Sequence, residues 1–174
     1  MAAFNPLAGA SALPFGDVKP GSWYYNAVEY VFDHELMTGE TSTSFAPGGA
    51  MTRAMVWTVL ARMDGTDVSG GTPWYSGARS WAVNAAVSDG SNPGGGISRE
   101  ELVTMLWRTQ GSPESSAGLS GFTDGGVVSG WASGAVRWAV SAGVLEGSDG
   151  KINPGGRATR AEVAAILTRF CKRL

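Results

Sequence analysis

The chain has 174 residues, 43% of them hydrophobic and 16% charged, with 26 glycines and a net charge of −2. Such a balance gives no basic field or Lys/Arg cluster for nucleic acid, and no apolar stretch approaches the ~20 residues that span a bilayer. One cysteine, Cys171, excludes an intrachain disulfide, and one histidine, His34, excludes metal sites built from several histidines or from Cys–His sets.

Residues 1–14 lack the basic start and apolar core of a signal peptide. The expectation is a piece of a larger secreted protein, or an export signal carried elsewhere. Phe15-Gly16-Asp17-Val18 opens the first predicted unit. Trp23 follows, with Ala27, Tyr30 and Val31 four, seven and eight residues after it, on one helical face. Gly39 then marks the end of that helix or the turn after it. Pro47-Gly48-Gly49 precedes Thr52-Arg53, where a second helix begins with Val56, Val59, Leu60 and Met63 as its apolar stripe.

The same order recurs twice. The second unit offers Trp74, Ala78, Trp81, Ala82 and Gly90, then Pro93-Gly94-Gly95, Ser98-Arg99, Leu102, Met105 and Leu106. The third runs Phe122-Thr123-Asp124, Trp131, Ala135, Trp138, Ala139, Gly147, Pro154-Gly155-Gly156, Thr159-Arg160, Val163, Ile166, Leu167 and Phe170. A threefold repeat decides the architecture: all-α, three helix–loop–helix units over 15–65, 66–112 and 119–174. Units of about fifty residues are marginal alone, so they are expected to share one core. Gly111 to Gly118 is the most linker-like stretch. The loop from Gly to Pro spans eight positions in unit one, seven in unit three and three in unit two, so a site built on it should be altered in the middle unit.

Thr159-Arg160-Ala161-Glu162 and Ser98-Arg99-Glu100-Glu101 fit the reciprocal capping box, whereas Met55 stands where unit one would need its glutamate. Capping leaves the arginines unexplained. A guanidinium at the first helical position meets the positive end of the dipole, unfavourable by about 0.3–1 kcal/mol when exposed. Three in register call for compensation. Either a protein carboxylate supplies it, Asp17 and Asp124 being candidates, or an external anion does, held by Arg and by free helix N–H groups. Arg62, Arg108 and Arg169 near the helix ends read as capping. Trp23, Trp74 and Trp131 are either core anchors or rings that stack on sugars, with Tyr24, Tyr25 and Tyr75 weaker stacking candidates. Trp57, Trp81, Trp107 and Trp138 lie on helical stripes and read as core. Cys171 reads as a small apolar residue of the last helix.

With those residues in view, the chain resembles three tandem S-layer homology domains. The pattern is carried by Phe15-Gly-Asp17, Trp23-Tyr24, Ala27-Val28, Phe45-Ala-Pro47 and Thr52-Arg53-Ala54. Unit three repeats it in Phe122-Thr-Asp124, Trp131, Ala135-Val136, Ile152-Asn-Pro154 and Thr159-Arg160-Ala161-Glu162. Unit two is more divergent. The resemblance implies a pseudo-threefold assembly, with the first helices forming a central three-helix bundle and three prongs around it. It implies a noncatalytic, extracellular anchoring module whose inter-unit grooves take a cell-wall polysaccharide, in many relatives one bearing pyruvyl ketals. By position it points to Arg53, Arg160 and Arg99 as carboxylate ligands, Asp17 and Asp124 as orienting or hydroxyl-binding groups, Trp23 and Trp131 as stacking rings, and Gly39, Gly90 and Gly147 as backbone contributors. No metal or cofactor is implied. One or two strong grooves are expected rather than three equal ones. A self-assembly or protein-interaction module is the alternative. An enzyme is not supported, because Glu101 and Glu162 are accounted for as caps.

Overall fold

The computed structural model describes residues 12–173. Among them the secondary structure is helical, without strands: α1 (Tyr25–Asp33), α2 (Arg53–Met63), α3 (Ser76–Asn84), α4 (Arg99–Thr109), α5 (Ser133–Ser141) and α6 (Arg160–Cys171). Two short 3₁₀ turns precede α5. The chain is all-α.

The first helix of each unit is shorter than its sequence pattern. Trp23, Trp74 and Trp131 stand two residues before α1, α3 and α5, and Gly39, Gly90 and Gly147 lie six residues beyond the helix ends. The stop is made earlier, by Glu35, Ala86 and Gly143, all left-handed at φ 57°, 55° and 69°. That reversal turns the N–H of Leu36, Val87 and Val144 back onto the carbonyls of Val31, Ala82 and Ala139, satisfying acceptors that a helix end leaves open. Gly39 and Gly147 serve packing instead. A Cβ on either would come within 2.5 Å of the ring of Phe15 or Phe122.

The second helices begin at the arginines, as the sequence predicts. Thr52, Ser98 and Thr159 each accept from the N–H three residues on, and Glu101 and Glu162 complete reciprocal boxes. The first two N–H groups of each helix are taken by another unit. Arg53 N–H donates to Gly95 O and Ala54 N–H to Pro93 O; Arg99 and Glu100 donate to Gly156 and Pro154; Arg160 and Ala161 donate to Gly49 and Pro47. Short backbone bridges, Thr52 with Gly96, Ser98 with Arg157 and Ala50 with Thr159, accompany them. The links run from unit one to two, two to three, and three back to one. They close a ring, and an arginine stands at each exit.

Helices pack across units as well. The most extensive contacts between helices are those of α2 with α3, α4 with α5, and α6 with α1, each across two units. Most of the largest fully buried side chains come from the second helices, including Trp57, Leu60, Leu102, Leu106, Ile166 and Leu167. Together with Val28, Val31, Phe45, Ile97 and Ile152 they form one contiguous cluster. A single unit cannot bury its apolar stripe alone, so the repeat supplies partners in sequence order. The linker is held rather than free: Trp107 Nε1–H donates to Pro113 O at 2.8 Å, and Arg137 donates to Ala117 O at 3.2 Å.

Candidate functional site

The ring fixes where the three guanidiniums point, and each reaches into the neighbouring unit. Arg53 donates through Nε to Ser91 O at 2.9 Å, through Nη1 to Glu101 at 2.9 Å, and through Nη2 to Ser88 and Asp89 at 3.1 Å. Arg99 donates to Ile152 O at 2.9 Å and Glu146 O at 3.2 Å, with Glu162 at 3.7 Å. Arg160 donates through Nε to Phe45 O at 2.6 Å and through Nη2 to Thr38 O. Its guanidinium also lies 4.6 Å from the centre of the Phe45 ring, a favourable cation–π placement. Among the described residues no carboxylate lies within ion-pair distance of Arg160.

Two sequence expectations are corrected here. Asp17 and Asp124 are not the counter-ions of the arginines; that place belongs to Glu101, Asp89 and Glu162. Nor are free helix N–H groups available to an external anion, because the first three of each second helix are consumed by the ring and by the cap.

The two aspartates act one step back. Asp17 accepts from Ser44 Oγ–H, Phe45 N–H and Ala46 N–H at 2.7–2.9 Å, and it is the carbonyl of Phe45 that receives Arg160. Asp124 accepts from Ile152 and Asn153 N–H at 2.8 and 2.7 Å, and Ile152 O receives Arg99. Burial pushes the Asp17 carboxyl up, yet those hydrogen bonds outweigh it and hold the group below its ordinary range. The backbone bond from Ile152 does the same for Asp124. Unit two has no such aspartate. In its short loop Asp89 accepts from Ser91 N–H and Oγ–H at 2.9 and 2.8 Å, and Ser91 O receives Arg53. The truncated loop has rebuilt the same support locally, which the sequence pattern did not signal.

Trp23, Trp74 and Trp131 are 66%, 55% and 56% exposed, which removes the core-anchor reading. Trp74 and Arg160 line one cleft of about 380 Å³ with Gly39, Glu40, Met55 and Arg62. Trp131 and Arg53 line another of about 230 Å³ with Ser88, Asp89, Glu101 and Arg108. Each cleft thus joins a tryptophan from one unit to an arginine of a different unit. Trp23 stands edge-on to Tyr24. Gly90 adopts φ +73°, and Gly147 lies under Phe122. Trp57 is fully buried, while Trp81, Trp107 and Trp138 are half-buried.

Arg62 and Arg108 donate to Leu36 O and Val87 O, at 3.3 and 3.1 Å, pinning the turn after the first helix of their own units. Arg169 pairs with Glu146 at 3.1 Å. Arg62 and Arg108 thus stand in the walls of the two clefts and bond outside their own helices. Ser129 donates from N–H and Oγ–H to the buried Glu100 at 3.0 and 2.7 Å, fixing the segment that carries Trp131. That tie was not legible in the sequence, since only Glu101 belongs to the cap.

The S-layer homology domain model matches residues 14–54 and 121–164, the start of unit one through its arginine and most of unit three. The chain is 28% identical to an endoglucanase of Bacillus sp. (strain KSM-635), over 97% of this chain and 20% of that protein. It is 30% identical to an amylopullulanase of Thermoanaerobacterium thermosulfurigenes, over 88% of this chain and 9% of that protein. Identity to the surface-layer 125 kDa protein of Lysinibacillus sphaericus is 28%, over 55% of this chain and 10% of that protein. The chain spans a fifth or less of the length of these relatives. The enzymes among them match through an S-layer homology portion, and that module is noncatalytic. Motif residues, helical architecture and family model agree that residues 14–54 and 121–164 are S-layer homology domains, the modules that anchor surface proteins to the cell wall.

Proposed function

We propose that the chain binds an acidic cell-wall polysaccharide, one carrying pyruvyl ketals, in clefts between its units, and so tethers a larger extracellular surface protein to the wall. The observation that carries this reading is the pairing in one cleft of an exposed indole with a motif arginine: Trp74 with Arg160, and Trp131 with Arg53. An indole face suits the C–H face of a pyranose, and a guanidinium suits a carboxylate. Asp17 and Asp124 serve by holding the carbonyls against which Arg160 and Arg99 rest, and Gly39 leaves room at the cleft edge. The other site candidates, Arg99, Trp23, Gly90 and Gly147, enter this reading by their positions in the repeat.

The test is co-sedimentation with purified wall sacculi, before and after stripping of the non-peptidoglycan polymer, and with pyruvyl groups intact or chemically removed. Binding should be lost on stripping, fall on depyruvylation, and weaken as salt rises. Trp74→Ala should weaken it while leaving the far-UV circular dichroism unchanged. Retention of binding by fully stripped sacculi would overturn the reading.

A further inference from the structure

The dipeptide Asp-Gly occurs four times, at 64–65, 89–90, 124–125 and 149–150. It is a chemically weak step, because glycine has no side chain to hinder its amide nitrogen from approaching the aspartate Cγ. When the nitrogen attacks, the N–Cγ bond forms, and the carboxyl O–H leaves with the amide proton as water. A second water then opens the five-membered imide at either carbonyl. Opening at the α-carbonyl leaves isoaspartate, with the chain running through Cβ and Cγ and the mass unchanged.

Three of the four steps are held. Gly65 N–H donates to Arg62 O at 2.9 Å, Gly125 N–H to Phe122 O at 3.2 Å, and Gly90 N–H to Ser88 Oγ at 3.3 Å. Their carboxylates are engaged as well: Asp64 by Trp81 and Thr66, Asp89 by Ser91 and Arg53, Asp124 by Ile152 and Asn153. The Ser91 N–H keeps the Asp89 carboxyl, and the Ile152 N–H that of Asp124, below the ordinary range. This depletes the protonated acid that the reaction consumes.

Asp149-Gly150 lacks both protections. It is the tip of a two-residue hairpin in which Ser148 and Lys151 exchange both backbone bonds, at 2.9 and 3.0 Å. Asp149 and Gly150 stand at φ 52° and 72°, the two positive angles of a type I′ turn. Both residues are exposed. Among the described residues nothing bonds to the Asp149 carboxylate or to Gly150 N–H. A left-handed φ also strains a residue that carries a Cβ. The rotation that brings Gly150 N to Cγ is opposed by the bonds of the turn and by Thr123, whose N–H donates to Gly150 O at 2.9 Å.

We infer that Asp149 is the site at which this chain, once folded, converts to isoaspartate, and that the conversion loosens the loop behind Arg99. The extra backbone carbon displaces Gly150 O from Thr123 N–H. Thr123 adjoins Asp124, which holds Ile152, whose carbonyl receives Arg99. This stands whatever the clefts bind.

The experiment incubates the full chain, folded in neutral buffer and unfolded in urea. Isoaspartate is labelled by protein isoaspartyl methyltransferase and located by electron-transfer fragmentation. In the folded chain Asp149 should convert at least about tenfold faster than Asp64, Asp89 or Asp124, the rate equivalent of the bonds that those must first break. In urea the four rates should converge. Asp149→Glu, which cannot close a five-membered ring, should bring labelling of the folded chain to background. Equal or faster conversion at another Asp-Gly step of the folded chain overturns the assignment, as does labelling that survives Asp149→Glu. The isolated isoaspartate form should lose hydrogen-exchange protection at the Thr123 and Ile152 amides, and unchanged protection there overturns the coupling to Arg99.

Discussion

Asp17 shows how a motif residue can matter to a site it never touches. Its carboxylate gathers the hydroxyl of Ser44 and the N–H groups of Phe45 and Ala46, and the loop so closed presents Phe45 O to Arg160. Asp17→Asn should cost about 1–2 kcal/mol, because one charged acceptor is exchanged for a group that cannot serve three donors. Urea unfolding would measure it. Linkage sets the pH dependence. The folded carboxyl lies below the ordinary 3.8, so its contribution is complete above that value and is lost as pH falls through the folded one. Asp17→Asn should therefore flatten the acid limb of the stability profile below about pH 4 and leave the region above pH 5 parallel to the wild type.

At the scale of the helix, the ends of α1, α3 and α5 make one demand and meet it unequally. The residue that reverses the chain is Gly143 in unit three, but Glu35 in unit one and Ala86 in unit two, at nearly the same positive φ. A Cβ in the left-handed region clashes with the backbone, at about 1–2 kcal/mol, while glycine adopts it freely. Ala86→Gly should raise stability by about 0.5–1 kcal/mol, read as a higher denaturant midpoint with unchanged slope. The starts of the second helices make the opposite case. Ser98 is buried, caps α4 and receives its N–H partner in return from Glu101. Ser98→Ala should lose about 1–2 kcal/mol by the same measurement.

For the molecule as a whole, the ring of Arg–Gly and Ala/Glu–Pro backbone bonds and the cross-unit helix pairs make the units interdependent. Unfolding should be one cooperative transition, with tryptophan fluorescence and far-UV circular dichroism superimposing. An isolated peptide covering 15–65 should show little helix, since α2 has lost α3, α1 has lost α6, and the N–H groups of Arg53 and Ala54 have lost their carbonyls. Separate transitions for the units would contradict that dependence. Noncatalytic anchoring fits such a frame, because the clefts exist only where two units meet.

The amino-acid sequence determined the all-α class, the threefold recurrence, the arginine as the first residue of each second helix, and the caps at Thr52, Ser98 and Thr159. These are local properties: periodicity and hydrogen bonds within a few residues produce them. It also exposed the anomaly of a cation at a positive helix end, and Met55 as a departure. What it could not assign was partnership across units. That Glu101 serves Arg53 while Met55 leaves Arg160 without an acid, and that Pro and Gly carbonyls consume the helix N–H groups, depend on contacts 35 to more than 110 residues apart. Three nearly identical motifs carry no local mark of which neighbour each will meet. Only closure of the ring decides it, by placing every arginine against the loop and the third helical residue of a different unit.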